Sequence, residues 1–177
     1  MIDCALTNLP WYQNQCNQGP SFGSLFFTYA QNTGLVLDSN YPYTAKQSTC
    51  RIKSYTKMYM KIGGSTTINS QKAFNAAITK QPIFGVVYPD SKFMLYRSGL
   101  LTNKQNGKSY GSNYDFHQGV TIVAYNSTEI KIRVSYSSYW GIQGYARIDT
   151  TMSANTASNY FYWGNSSLQV PTSIILQ

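Results

Sequence analysis

The chain is poor in charged residues and in groups that bind metal ions. Asp, Glu, Lys and Arg make up 11% of its 177 residues, compared with roughly 25% in an average soluble domain. One histidine, three cysteines and no cluster of carboxylates cannot form a structural zinc site. A glycine-rich phosphate-binding loop is missing too, and Gly63-Gly64 predicts only a turn. We therefore expect neither a metal ion nor another cofactor.

Long apolar runs are also missing. No stretch approaches the ~20 apolar residues of a membrane-spanning helix, so we expect no membrane span. Two glycosylation triplets, Asn126-Ser127-Thr128 and Asn165-Ser166-Ser167, favour a secretory route. Because such triplets arise by chance in a chain rich in Asn and Ser, the support that they give is modest.

Uncharged polar residues and aromatics take the place of the charged ones. The chain has 16 tyrosines, and 42% of its residues are hydrophobic, which argues against disorder. At 177 residues it is long enough for one domain with a proper core. The formal net charge is +8, but the Lys and Arg residues are scattered singly. This favours a solvated basic surface over nucleic-acid binding; an acidic or polysaccharide partner is an alternative that no motif supports.

The hydrophobic pattern predicts helices in the first part of the chain and strands in the second. From Ser21 to Ala30 the apolar residues share one helical face, with Gly34 as the stop. Ser70 is the predicted N-cap of a second helix, which ends before Gln81-Pro82. Runs of β-branched and aromatic residues then predict strands at residues 84–88, 120–125, 130–136 and 145–148. The chain is therefore predicted to be α+β.

The three cysteines cannot all pair within the chain. In a secreted protein an odd count indicates a free thiol or a disulfide to another segment. A reactive catalytic thiol is the alternative for Cys16. Its neighbours Asn17 and Gln18 supply no positive charge that would stabilise a thiolate, so this alternative is disfavoured.

Six motifs follow one another in an order that is informative as a set. They are Met1-Ile2-Asp3-Cys4, Gln15-Cys16-Asn17-Gln18-Gly19, Asn40-Tyr41-Pro42-Tyr43, the pair Gln81-Pro82-Ile83 and Phe93-Met94-Leu95-Tyr96, Asp115-Phe116-His117-Gln118, and Trp140-Gly141-Ile142-Gln143-Gly144-Tyr145. Each alone is a weak signal. Together they cover nearly the whole chain, and in order and spacing the set resembles the papain-like cysteine peptidases.

The resemblance implies a papain-like two-lobe fold of which the chain lacks the N-terminal catalytic helix segment. One peptidase domain would span residues 1–177, with residues 1–60 as the remainder of the helical lobe and 61–177 mainly as an antiparallel β-barrel lobe. The family's nucleophile motif, Cys-Gly-Ser-Cys-Trp, and the Gln of its oxyanion hole occur nowhere in the chain. We therefore expect the chain to be an N-terminally incomplete part of a longer protein.

The same resemblance assigns His117 to the general-base position of a thiolate–imidazole pair. The Asn that would orient the imidazole corresponds to Val134, whose side chain has neither donor nor acceptor. Ser135 is adjacent, but alternation along a strand should direct it to the opposite face. Tyr136 stands where the family has a shielding Trp. The implied site is weakened, because loss of an orienting group in related triads lowers the rate by up to several powers of ten.

The substrate cleft implied by the resemblance also departs from the family pattern. Gln18 replaces one of two paired glycines, and its side chain would intrude where substrate backbone lies close. Gln118 is larger and more polar than the family's Ala or Gly, and would narrow the pocket for the substrate's second residue. The predicted cleft residues are Gln18, Gly19, Pro20, Ser21, Val86, Phe116, Gln118, Tyr136 and Trp140.

The resemblance also implies that Cys4 pairs with Cys50, and that Cys16 pairs with a cysteine in the missing N-terminal segment. The aromatics Phe93, Tyr96, Trp140 and Tyr145 are predicted to be core residues rather than ligand contacts.

These features favour a papain-family homologue with impaired hydrolysis that serves as a structural or binding component of a secreted or surface assembly, with a peptide or protein ligand. The alternative is the C-terminal chain of an active thiol peptidase. In that case the nucleophilic Cys lies on an N-terminal chain linked through Cys16, as in some two-chain lysosomal relatives. Both hypotheses place the protein outside the cell, at its surface, or in a lysosomal or vacuolar lumen.

Overall fold

The structure is a computed structural model that describes residues 2–5, 23–46, 48–53, 56–87, 89–102, 118–150 and 168–176. The chain divides into two compact units, Met1–Thr66 with Pro171–Gln177, and Thr67–Val170. From the sequence we expected the C-terminal residues to belong to the β-rich part, whereas the structure assigns the last seven to the first unit. These residues belong to the first unit because the strand at residues 174–176 pairs with the strand at residues 60–62.

The described residues form four helices and nine strands. The helices are α1 (Ile2–Ala5), α2 (Gly23–Asn32), α3 (Gln71–Ile78) and α4 (Ser91–Met94). The strands are β1 (Met60–Ile62), β2 (Ser65–Thr67), β3 (Ile83–Val87), β4 (Leu100–Leu101), β5 (Gln118–Tyr125), β6 (Glu129–Arg133), β7 (Tyr145–Asp149), β8 (Gln169–Pro171) and β9 (Ile174–Leu176). No helix among these is long and apolar enough to cross a membrane.

The first unit contains the helix that the sequence places before Gly34. Helix α2 ends at Asn32, and Gly34 follows with φ +100°, a conformation that glycine adopts without steric cost. An added Cβ there would lie 3.0 Å from the carbonyl oxygen of Met60, so close packing also requires glycine. The predicted stop is therefore confirmed. Strand β9 completes the unit by antiparallel pairing with β1.

A disulfide joins Cys4 and Cys50 in the first unit, with an S–S distance of 1.99 Å, so the predicted pairing is confirmed. The neighbouring residue Asp3 is 9% exposed, and its carboxylate is fully hydrogen-bonded. It accepts hydrogen bonds from the Ser48 amide (2.8 Å), the Ser48 hydroxyl (2.7 Å) and the Tyr41 hydroxyl (2.8 Å). Three donors satisfy a carboxylate that would otherwise be costly to bury.

The second unit is built on a sheet in the order β8-β3-β5-β6-β7-β4, with β2 beside β8. The neighbours from β3 to β7 pair antiparallel, while β4 runs parallel to β7. The described strands therefore form an open sheet with one parallel edge pair, and not the closed antiparallel barrel that the sequence analysis expected. Closure would require hydrogen bonds between the two edges, and the strand order shows none there.

One face of this sheet forms the core of the second unit. Ser70 caps α3 by accepting a hydrogen bond from the amide of Ala73 (3.2 Å), as predicted, and Phe74 of α3 is fully buried. The predicted strand 130–136 ends early, at Arg133. The chain turns at Ser137, where φ is +86°, which strand geometry does not allow.

Candidate functional site

The described residues include five of the eleven predicted catalytic and cleft positions. They are Val86, Gln118, Val134, Tyr136 and Trp140. The other six, His117, Phe116, Gln18, Gly19, Pro20 and Ser21, lie outside the described residues, as do Cys16 and Asn165. The site is therefore built here from the strands and the turn on which the five positions lie.

Gln118 and Tyr136 contact each other directly. Gln118 opens β5, opposite Val87 of β3, and Tyr136 follows the end of β6. The Tyr136 hydroxyl donates to the side-chain oxygen of Gln118 at 2.8 Å, and the Gln118 amide group donates to the carbonyl of Gly119 at 2.8 Å. Burial raises the pKa of the Tyr136 phenol above its ordinary value of 10.0, so at neutral pH the hydroxyl keeps the proton that it donates.

Two aromatic rings, those of Trp140 and Phe93, pack against the ring of Tyr136. Its ring meets Trp140 edge-on, with centroids 5.5 Å apart at 89°, and Phe93 at 6.4 Å and 82°. The indole of Trp140 donates to the carbonyls of Phe93 (3.2 Å) and Met94 (3.1 Å) and lies 5.6 Å from the ring of Tyr96. Phe93, Tyr96 and Trp140 are buried, as predicted, whereas Tyr145 is only half-buried. This packing fixes the orientation of Tyr136.

Val134 lies on the core face of the sheet and is 5% exposed. It packs in the buried cluster that includes Val120 and Ile132. Its amide donates to the carbonyl of Gly144 at 3.0 Å, so the backbone donor at this position is already used. Ser135 is exposed, as strand alternation predicts. The side chain at the orienting position is therefore aliphatic and supplies no acceptor.

The structure does not bring Val86 and Gln118 onto one face. Val86 pairs with Gly119, one position along from the Val87–Gln118 pair. Because successive side chains in a strand point to opposite faces, Val86 and Gln118 leave the sheet on opposite sides. That Val86 and Gln118 both line the pocket for the substrate's second residue stays a prediction.

The turn from Trp140 to Tyr145 requires glycine at positions 141 and 144. Gly141 has φ +59° and Gly144 has φ +86°. A Cβ on Gly141 would collide with the carbonyl oxygen of Tyr145 and approach the ring of Tyr96 to 3.0 Å. The turn is closed by hydrogen bonds from the amide of Gly144 to Trp140 (2.8 Å) and of Ile142 to Tyr145 (2.9 Å). The glycines place Trp140 against the aromatic cluster.

A cavity of about 620 Å³ lies beside this site, on the sheet face that carries Ser135. We call it the outer cavity. Small or polar residues of β3, β5, β6 and the following turn contribute most of its lining. These residues are Phe84, Gly119, Val120, Thr121, Arg133, Val134, Ser135, Ser137, Ser138, Gln143 and Gly144. The sequence pattern does not predict this cavity, because its residues are brought together only by the strand register.

Of the two glycosylation triplets, the first lies in the exposed turn between β5 and β6. The Asn126 side-chain oxygen accepts hydrogen bonds from the amides of Thr128 and Glu129, both at 2.9 Å. Such an Asx turn is a common way to reverse the chain, and it leaves the asparagine at the surface.

Within the described ranges, no three His, Cys, Asp or Glu side chains lie close enough together to hold a metal ion. The chemistry that this part of the site can offer is hydrogen bonding through Gln118 and Tyr136, beside an aliphatic Val134.

Comparison with known proteins agrees with the motifs. The pattern of the papain family cysteine proteases matches residues 1–162, and the chain belongs to this family. Vignain of Vigna mungo is 30% identical over 149 residues, which are 80% of this chain and 39% of vignain. Cysteine proteinase 1 of Entamoeba histolytica is 32% identical over 150 residues, which are 81% of this chain and 45% of that protein. The chain thus spans less than half the length of these relatives.

Solved structures show the same fold. The cysteine protease CMS1MS2 of Carica candamarcensis, in complex with E-64, superposes with a TM-score of 0.67 at 27% identity, covering 86% of this chain and 68% of the other. The bromelain protease of Ananas comosus gives a TM-score of 0.65 at 23% identity, which shows the fold alone. The predicted papain-like α+β fold is confirmed.

Proposed function

We propose that this chain is the C-terminal part of a papain-family homologue whose hydrolytic site is impaired, and that it binds a polypeptide as a structural component of an assembly. The observation that carries the proposal is Val134. The side chain at the orienting position is aliphatic and packs into the core, and its own amide is bonded to Gly144.

An imidazole base needs an acceptor to fix its tautomer and its ring orientation. A neutral imidazole has one N–H to donate, and the partner of that N–H decides which nitrogen is free to take a proton. Replacing the orienting carboxylate of a serine-protease triad lowers kcat by about 10⁴-fold. A comparable loss at Val134 would leave any thiolate paired with a poorly oriented base.

The bond between Tyr136 and Gln118 supports the same proposal. By its resemblance to the family, Gln118 stands where a small residue lines the pocket for the substrate's second residue. Here its amide is held by Tyr136 and by the carbonyl of Gly119, and Tyr136 is itself held by Trp140. A substrate side chain entering this pocket would have to displace a bonded amide, which costs about 1 kcal/mol or more per bond lost.

The alternative is an active thiol peptidase, and the intact scaffold favours it. The turn after Trp140 keeps both glycines of the family motif, Gly141 and Gly144, each with a positive φ. In this alternative the nucleophilic Cys belongs to an N-terminal segment joined through Cys16. The pairing of Cys4 with Cys50 leaves Cys16 for such a link.

The disulfide also supports the proposed location. Disulfides form and persist in oxidising compartments, and a structural one joins Cys4 and Cys50. We therefore propose a secreted, cell-surface or lysosomal location, with Asn126 as a surface position available for a glycan.

The test is labelling by a thiol-directed epoxide, together with peptide turnover, of the protein purified from its natural source. The proposal expects neither labelling nor turnover. Turnover at rates usual for peptidases, with a bell-shaped pH profile from a thiolate–imidazolium pair, would establish the alternative.

The Val134→Asn variant then tests whether the missing side-chain acceptor causes the loss of hydrolysis. If peptide turnover appears in this variant, a functional nucleophile is present and the missing acceptor is the cause of the impairment. If none appears, the site is impaired at further positions. Val170→Asn is the matched control. Val170 is also 5% exposed, so this variant places an asparagine side chain in an equally buried position of the second unit, away from the predicted site.

A further inference from the structure

Half of the chain's positive charge lies in a stretch that contains no acidic residue. Between Asp38 and Asp90 the sequence has no Asp or Glu, but it has half of the 14 Lys and Arg residues. These are Lys46, Arg51, Lys53, Lys57, Lys61, Lys72 and Lys80. The first five belong to the first unit, where the carboxylate of Asp3 is already held by Ser48 and Tyr41.

Two of these cations, Arg51 and Lys53, lie on either side of Ile52. Ile52 is half-buried and lines a cavity of about 160 Å³ together with Leu35, whereas Arg51 and Lys53 are exposed. The chain here turns its apolar residue inward and its cations outward. The guanidinium of Arg51 lies 4.4 Å from the ring centroid of Tyr41, a cation–π contact that holds it at this surface.

Two further cations, Lys57 and Lys61, border the same part of the fold. The amide of Tyr59 donates to the carbonyl of Leu35 at 2.8 Å, and Lys57 is exposed two residues before it. The Cγ of Lys61 lies 3.0 Å from the position of a Cβ added to Gly34. Both pairs of cations therefore flank residues 34–35. We call these four residues the basic patch: Arg51, Lys53, Lys57 and Lys61.

No carboxylate neutralises the basic patch within the part of the chain that the structure describes. The ion pair found there joins Arg147 to Glu129 in the second unit. Asp38 is exposed and lines the same cavity as Ile52, but it forms no ion pair with a described Lys or Arg. The patch therefore presents positive charge that only solvent or a partner can balance.

An exposed aromatic ring accompanies the cations. Tyr59 is 49% exposed and stands between Lys57 and Lys61 in the sequence. A tyrosine offers an apolar ring face with a polar tip, which suits the apolar face of a sugar ring. The neighbouring ammonium groups suit the sulfate or carboxylate groups that an acidic sugar carries.

We propose that the basic patch binds a sulfated polysaccharide. A chain of closely spaced anions holds condensed counterions, and several cations that meet it together release them, so lysines that each contribute little act as a set. Three of the four cations are lysines, whose flexible stems can follow an irregular row of anions. Nucleic acid carries a row of charges of the same sign. The choice of polysaccharide rests on the proposed secreted or cell-surface location.

The experiment measures the affinity of the full-length protein for heparin at a series of salt concentrations. The test variant combines Lys53→Gln with Lys57→Gln, because both side chains are exposed. The matched control combines Lys72→Gln with Lys80→Gln, which removes the same charge from exposed positions of the second unit. Attraction by the net charge of +8 alone would weaken equally in the two variants.

We expect the test variant to bind heparin about tenfold more weakly, with a salt slope of log affinity reduced by about one per lysine lost, and the control to change less than about twofold. Asp38→Asn should strengthen binding, because it removes the exposed carboxylate beside the patch.

Three results would each overturn the proposal. They are equal losses in the two double variants, no binding of heparin by the wild-type protein at physiological salt, and tighter binding of duplex DNA than of heparin at the same salt. None of these measurements involves peptide turnover, so failure of the polysaccharide proposal is distinguishable from failure of the proposed function.

Discussion

The hydroxyl of Tyr136 donates a 2.8 Å hydrogen bond to the side-chain oxygen of Gln118. This bond joins the start of β5 to the chain that follows β6. Gln118, its acceptor, comes directly after His117 in the sequence. Because Tyr136 also packs on Trp140 and Phe93, the bond connects the predicted cleft with the aromatic cluster.

Removing this hydroxyl should lower stability without disturbing the packing. We expect Tyr136→Phe to reduce the free energy of unfolding by about 1 kcal/mol, the usual net contribution of one hydrogen bond. Denaturant unfolding measures the change. The control is Tyr139→Phe, whose ring is 87% exposed and which should change the midpoint very little. Equal effects of the two substitutions would show that the Gln118 bond contributes nothing.

Ser137 is strained, and glycine should relieve the strain. Its φ of +86° is a conformation that costs a non-glycine residue on the order of 1 kcal/mol or more. We expect Ser137→Gly to raise the free energy of unfolding, because the strain that it relieves, on the order of 1–3 kcal/mol, exceeds the roughly 0.5–1 kcal/mol that glycine costs through its freedom in the unfolded chain and the weak 3.3 Å bond that the Ser137 hydroxyl accepts from Tyr139.

The neighbouring Ser138→Gly is the control for Ser137→Gly. Ser138 is not among the described residues with positive φ, so glycine there should destabilise through its greater freedom in the unfolded chain. Thermal unfolding of the two variants should move in opposite directions. A fall in stability for both would contradict the strain argument.

The features that the sequence predicted correctly depend on neighbouring residues. The N-cap of Ser70 depends on an amide three positions away, and the stop at Gly34 depends on the backbone freedom of one residue. The opposite faces of Val134 and Ser135 follow from the two-residue period of a strand. Such local rules need no knowledge of the rest of the fold.

Most of the features that were missed depend on distant pairing. Strand β9 forms because Ile174 meets Ile62 in the register with β1, and its three residues alone carry no recognisable pattern. The Tyr136–Gln118 contact depends on the β5–β6 register, which shifts between Ile122 and Ala124. The four-residue helix α4, capped by the side chain of Asp90, is too short for a hydrophobic period to show.

Gly141 should tolerate no side chain. A Cβ there would collide with the carbonyl of Tyr145 in addition to the strain of a positive φ, so we expect Gly141→Ala to cost about 3 kcal/mol or more. Gly99→Ala separates the two effects, because Gly99 has φ +87° but nothing within 4 Å of an added Cβ; it should cost only about 1 kcal/mol. Chemical denaturation of both variants gives the difference, and equal costs would mean that the turn relaxes around the methyl group.

Asp3 should make the stability of the first unit sensitive to acid. Burial raises the pKa of its carboxyl, but the hydrogen bonds from Ser48 and Tyr41 outweigh this, so the pKa lies below its ordinary value of 3.8. The unfolded chain therefore takes up the proton first as the pH falls. The stabilisation is fully present above about pH 5 and is lost as the pH drops through 3.8 towards the lower folded value.

Asp3→Asn tests this pH dependence. With the disulfide intact, we expect the variant to lose about 2 kcal/mol at pH 7, because a carboxylate accepting three hydrogen bonds is replaced by an amide. The difference from the wild-type protein should shrink as the pH is lowered from 5 to 3, since protonation removes the same charge from the wild type. The measurement is the free energy of unfolding of the wild type and the variant across this pH range. Asp38→Asn is the control, because Asp38 is exposed. A difference that stays constant with pH would mean that the carboxylate charge of Asp3 does not stabilise the folded chain.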